Sequence, residues 1–507
     1  MRSIVSLALV TTALAALPVH AQAQTNGLDA IQTVVVIYAE NRSFDNLYGA
    51  FPGANGLQNV KSGQATQLDR DGTPLKELPP VWDNLTGKGV TPVVTQAQTE
   101  HLPNQPFAID DPKGFDTKLG VVTHDLWHLF YQNQMQIDGG KNDKFVAYAD
   151  SGALVMGHYD GAKLPLWSVA QKYTLADNFF MAAFGGSFLN HQWLACACTP
   201  VYPDVENAPG KKLIAAVEAD GVTLKVADNS PKSAMDGVPK FVNNGQITPD
   251  GYAVNTMQPP YQPSAVKPAA GGDARFADAS KPNVLPPQQE VTIGDLLSLK
   301  GVSWAWYSGA WQAALDGKNG HPAPNFQYHH QPYNYFARYA PGTEARKEHI
   351  KDAGMNGVTF IADIDAGKLP QVTFYKPQGN LNEHAGYADV ESGDMHIADV
   401  ISHLEKSPQW AHMLVVVTYD ENGGFWDHVA PPKADRWGPG SRIPALIVSP
   451  FARKGFVDHT QSDTTSILRF ITRRYELPVL KGIVERDAAL RAHGEPPMGD
   501  LTAALQF

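Results

Sequence analysis

The sequence predicts an α/β protein built on a mostly parallel central sheet with helices on both faces. Three observations carry that expectation. Thr33 to Tyr38 is an unbroken β-branched and apolar run, the pattern of a strand buried on both faces. Runs of the same kind recur at Val302–Tyr307, Gln371–Tyr375, Met413–Tyr419 and Pro444–Ser449, each bounded by Gly, Pro, Asn or Asp. Between them, Thr292–Lys300, Met395–Lys406 and Thr464–Tyr475 place apolar residues at helical spacing, so strand and helix alternate as crossover connections require.

In chain order, the first segment reads as an export signal over residues 1–23. Arg2 supplies a positive start, Ile4 to Leu17 an apolar run too short to span a bilayer, and Ala21-Gln22-Ala23 small residues for cleavage. The remainder, 24–507, is expected to be one α/β body, destined for the periplasm or the medium. Residues 200–290 hold thirteen prolines and few helix-length patterns. That stretch is too long for a structureless loop, so it is expected to form a loop-rich cap of short strands and turns over one sheet edge. Cys196 and Cys198, the only cysteines, are read as two buried thiols in an apolar segment, a local bridge being the alternative.

Of 507 residues, 40 are basic and 51 acidic, a formal charge of −11. That balance argues against a general nucleic-acid or anionic-membrane binder. No later run approaches the length of a membrane span.

Open parallel sheets bind ligands at the C-terminal ends of their strands. Two polar clusters stand there: Tyr38-Ala39-Glu40-Asn41-Arg42-Ser43-Phe44-Asp45 and Tyr419-Asp420-Glu421-Asn422-Gly423-Gly424. Glu40, Asn41, Asp420 and Glu421 make a hard oxygen set suited to one divalent cation such as Ca, Mg or Mn, or else they cap turns and pair at the surface. In Phe184-Gly185-Gly186-Ser187, the glycines allow a tight turn that presents Ser187 where a helix begins, as a nucleophile or as an ordinary N-cap. Among 17 histidines, His124 and His128 have the i, i+4 spacing of a helical metal pair or of two core residues.

Taken together, these segments resemble the bacterial phosphoesterase family of phospholipases C and respiratory-burst-inhibiting acid phosphatases. The resemblance rests on Glu40-Asn41-Arg42-Ser43-Phe44-Asp45 with Tyr48-Gly49, on the Gly-Gly-Ser segment, and on Tyr419 through Pro432. Gly186-Ser187 is similar to the acid phosphatase branch, where the phospholipase branch carries Gly-Pro-Thr. The resemblance implies an alkaline-phosphatase-like fold and a hydroxyl phosphorylated beside a metal. It would assign Glu40, Asn41, Ser187, Asp420 and Glu421 to the metal, and His124, Asn190, His329 and His330 to the phosphate. His384 would be the leaving-group acid. The expected activity is hydrolysis of small phosphomonoesters through a phosphoserine. Phospholipase C action on phosphatidylcholine-type diesters is the alternative, and a non-catalytic secreted binding protein a distant third.

Overall fold

The computed structural model describes residues 27–507, so the expected export signal lies outside the described residues. Eight strands form the central sheet: β1 Thr33–Ala39, β2 Thr174–Ala176, β3 Trp304–Ser308, β4 Ile350–Asp352, β5 Val372–Lys376, β6 Met413–Tyr419, β7 Ala445–Val448 and β8 Phe456–Asp458. Their spatial order is β8-β2-β7-β6-β1-β5-β3-β4. β1 pairs in parallel with β5 and β6, and β3 in parallel with β5 and β4. β7 alone runs against its neighbours, β6 and β2.

Every residue of β1 and of β6 is buried, which is why both read as continuous apolar runs rather than alternating ones. The helices that cover the sheet are α1 Pro165–Lys172, α2 Ser187–Cys196, α3 Ile293–Lys300, α4 Val358–Asp365, α5 Val390–Lys406 and α6 Thr464–Arg474. Register separates the two faces. Ile37 pairs with Tyr375, whose ring stacks on Phe360 of α4 and whose hydroxyl lies 2.6 Å from His396 of α5. The next residue, Tyr38, points the other way and donates to the Asn190 carbonyl of α2. On that side α2 packs with α6 and α3, while α5 packs with α1 and α4. α5 shows the logic of a covering helix: Asp389 caps it by accepting from the Ser392 amide at 2.7 Å, and Ile397, Val400, Ile401 and Leu404 form its buried stripe. The α/β expectation holds, and the strand and helix boundaries agree within a few residues, the start of α5 excepted.

The segment 200–290 departs from expectation in detail. Instead of short strands it contains isolated bridges, such as Val217 to Leu224 and Tyr261 to Phe276, joined by 3-10 turns. Its prolines lack the amide a ladder needs. It is nonetheless anchored, since Leu224, Ile247 and Met257 are fully buried and the Arg70 guanidinium donates to the carbonyls of Pro231, Ser233 and Gly237. The thiol reading of the cysteines is corrected: Cys196 and Cys198 form a disulfide. α2 ends at Cys196, and Ala197 turns into the left-handed region at φ 48°, which folds the two cysteines back on one another with Cα atoms 5.1 Å apart.

Candidate active site

The site forms where β1, β5 and β6 end. Ala39 is in register with Tyr419, so Glu40 and Asp420 leave adjacent strands side by side. Asn41 turns sharply with φ 63°, and its amide donates to Asp420 Oδ1 at 3.2 Å, as does the Glu421 amide at 2.8 Å. Those two bonds lock Asp420 and leave its Oδ2 buried without a hydrogen-bond partner.

Ser187 approaches from α2. Its presentation depends on two glycines: Gly185 has φ +86°, and a Cβ there would sit 2.4 Å from the Phe130 amide, while one at Gly186 would sit 2.7 Å from the His128 carbonyl. Gly186 is the N-cap and Ser187 the first helical residue, so the N-cap reading of Ser187 fails. Its Oγ lies instead 3.3 Å from Asn41 Oδ1 and 3.4 Å from Glu421 Oε1.

The oxygen set is thus only partly gathered. Asn41, Ser187, Asp420 and Glu421 converge, whereas Glu40 is turned toward other partners: Lys376 Nζ at 2.8 Å, His330 Nε2 in close contact, and the Tyr387 hydroxyl donating at 2.9 Å. The gathered residues fit a hard divalent cation. Three buried carboxylates and an orphaned Asp420 Oδ2 face a single buried ammonium, a deficit that one such ion would fill. Electrostatics say the same: burial, with Glu40 near, pushes the Asp420 carboxyl up to about 7 against the opposing charge of Lys376. Glu40 goes the other way: its contacts with His330 and the Lys376 ammonium outweigh its burial and hold it well below the usual carboxylate range.

Above Ser187 lies a pocket of about 220 Å³, lined among others by Asp125, His128, His329, His384 and Tyr387, and by Val254, Asn255 and Thr256 from the cap. Burial lowers His329 well below its usual range and His330 to about 4, so both are neutral imidazoles. His128 is different. Burial opposes its charge, but Glu421, 3.8 Å away, and Asp125 together push it up to about 9, which makes it the cation of the pocket. His384 stacks on Tyr387 at 4.1 Å, contacts the Ala385 carbonyl through Nδ1, and places Nε2 3.9 Å from Glu40.

Among the residues expected at the phosphate, His329 lines the pocket and His330 lies behind it against Glu40. His124 is not brought there. Residues 124–129 form no helix, so the spacing of His124 and His128 does not place them on one helical face, and it is His128 that reaches the pocket. Asn190 has its amide committed elsewhere: Oδ1 accepts from the Ala183 amide at 2.9 Å, and Nδ2 donates to the carbonyls of Ala183 and Gly186. It holds the loop that presents Ser187. Sequence reasoning missed Lys376, although it ends a strand beside Tyr38 just as Glu40 and Asp420 follow theirs, and it missed the cap residues, which carry no motif.

The sequence profile of the Phosphoesterase family matches residues 31–478, and this chain belongs to that family: it is a phosphoric ester hydrolase. It is 24% identical over 95% of its length to Phospholipase C B of Mycobacterium tuberculosis, covering 78% of that protein. It is 21% identical over 97% of its length to the non-hemolytic phospholipase C of Pseudomonas aeruginosa, covering 60% of it. A solved member of the alkaline phosphatase superfamily from Vibrio parahaemolyticus aligns over 71% of this chain and 67% of its own, at 11% identity and a TM-score of 0.32.

Proposed function

We propose that this protein is an exported phosphomonoesterase that works through a phosphoserine on Ser187, with one divalent cation held by Asn41, Ser187, Asp420 and Glu421 and reached by Glu40. The observation that carries the monoester reading is the pocket: about 220 Å³, lined by Val254, Asn255 and Thr256 from the cap and by His128, His329 and His384. It is small beside the ~300–1,000 Å³ usual for larger ligands, which suits a compact phosphate ester. Export is supported by the Cys196–Cys198 disulfide, a bond that persists in oxidising compartments.

The Ser187 hydroxyl points at Glu421 Oε1, the carboxylate within reach of its proton. Oγ attacks phosphorus, the ester oxygen leaves with a proton from His384, and a water deprotonated by His384 then releases phosphate from Ser187. His128 and His329 face the phosphoryl oxygens from the pocket wall, and Asn190 keeps the Gly185-Gly186 turn in place. The cation, when bound, supplies charge neutralisation and favours the ionised hydroxyl.

Phospholipase C action is the second reading, favoured by the names of the similar proteins above. Competition kinetics decide between them: a higher kcat/KM for p-nitrophenyl phosphate than for phosphatidylcholine vesicles is expected. A clear preference for phosphatidylcholine would overturn the monoesterase reading.

A further inference from the structure

The Lys376 ammonium is fully buried at the heart of the site, 2.8 Å from Glu40 Oε1 and 3.8 Å from Asp420 Oδ2. Its partner Glu40 belongs to a second group of donors. Glu40, His191 and His330, all buried, offer ligand atoms within 4.8 Å of one another. His191 has its tautomer fixed: Nδ1 donates to the Ser187 carbonyl at 2.7 Å, which leaves the Nε2 lone pair free, and that atom has no hydrogen-bond partner. His330 stacks on His191 with centroids 5.3 Å apart, sets its Nε2 in close contact with Glu40 Oε1, and leaves its Nδ1 without a hydrogen-bond partner. Its backbone is held by Trp306 Nε1, which donates to the His330 carbonyl at 2.8 Å. One carboxylate and two neutral imidazoles make a borderline, zinc-type donor set, unlike the all-oxygen set around Ser187.

We propose that Glu40, His191 and His330 form a second, latent metal site whose place is taken by the Lys376 ammonium, so that Lys376 limits the centre to one divalent ion. This rests on the reading of the Ser187 cluster as the site of that one ion. Charge supports it: the buried Glu40 carboxylate has the Lys376 ammonium, 2.8 Å away, as its counter-ion. Removing the ammonium leaves an uncompensated buried carboxylate beside the His330 imidazole and the unpartnered His191 Nε2, a combination that recruits a cation.

The test is metal stoichiometry on the full mature chain, by native mass spectrometry and elemental analysis during zinc and cobalt titration, with magnesium as the hard-ion comparison. Wild type is expected to hold one equivalent. Lys376→Met is expected to hold two, the second selective for zinc or cobalt over magnesium and lost in Lys376→Met/His191→Ala; Lys376→Arg is expected to stay at one. Two equivalents in wild type, or one in folded Lys376→Met, would overturn the role of Lys376. If Lys376→Met is unfolded without metal, excess zinc is expected to restore its melting transition, and failure to do so counts against the proposal. No bound ion in wild type with one zinc in Lys376→Met would sink the Ser187-cluster reading while leaving the latent site standing.

Discussion

Replacing Ser187 by alanine separates chemistry from architecture more cleanly than any other change at this site. The hydroxyl makes two long contacts, 3.3 Å to Asn41 Oδ1 and 3.4 Å to Glu421 Oε1, where a strong O–H···O bond is near ~2.7 Å. Their loss is expected to cost under about 1 kcal/mol of stability. Ser187 is the first helical residue rather than the cap, and alanine is the best helix former, so the start of α2 survives. Loss of the nucleophile is another matter: a fall in kcat of at least ~10³ is expected, about 4 kcal/mol in the barrier. The assay is steady-state turnover of p-nitrophenyl phosphate, with a thermal melt and metal analysis on the same preparation, and acid-quenched peptide mapping for a phosphoryl group on Ser187 in the parent enzyme. Ser187→Thr keeps the hydroxyl and should retain measurable turnover, reduced by the extra methyl at a site only 5% exposed. A folded, metal-loaded Ser187→Ala enzyme within tenfold of the parent rate would refute the phosphoserine mechanism.

Two further outcomes follow from the same geometry. His384→Ala should slow alkyl phosphates far more than p-nitrophenyl phosphate, since only poor leaving groups need a proton; burial lowers the His384 pKa below its ordinary 6.5, so the acid form and the rate on alkyl esters should rise as pH falls. Equal losses across a leaving-group series would assign His384 to binding instead. Away from the site, burial raises Asp394 to about 7, with its Oδ1 accepting from the Leu166 amide at 2.9 Å and its Oδ2 unpartnered. The folded chain therefore holds a proton that the unfolded chain loses as pH rises from about 4, and stability falls until about pH 7. Asp394→Asn keeps the acceptor and removes that penalty, worth at most about 4 kcal/mol above pH 7 and vanishing toward pH 4; denaturant melts at pH 8 and pH 4.5 showing the same difference would contradict this.

What could be read from the chain, and what could not, divides along one physical line. Strands buried on both faces announce themselves as unbroken apolar runs, and the topological rule for parallel sheets then points at whatever polar residues follow them. Glu40, Asn41, Asp420 and Glu421 were found that way, and Ser187 by the two glycines its turn requires. Residues whose role depends on distant neighbours carry no such mark. Asn190 looks like a phosphate donor until Ala183 and Gly186 are seen to use its amide. His124 and His128 look like a helical pair until the chain is seen to run there without a helix. The cysteines look like thiols until the left-handed turn at Ala197 closes on them.

Lys376 marks the boundary most sharply. On the sequence it is a basic residue ending an apolar strand, and a lysine is among the residues least expected to be buried. Inside the fold it is fully buried, and the reason lies in two other segments: Glu40 just after β1 and Asp420 just after β6. A lone carboxylate cluster would expel its own charge by protonation, as Asp420 begins to do at about 7. The ammonium keeps Glu40 ionised where Asp420 is pushed toward neutrality, so adjacent strand ends of nearly the same sequence character reach opposite electrostatic states. That asymmetry is a property of the assembled site alone, and it sets which carboxylates are available to hold a cation beside Ser187.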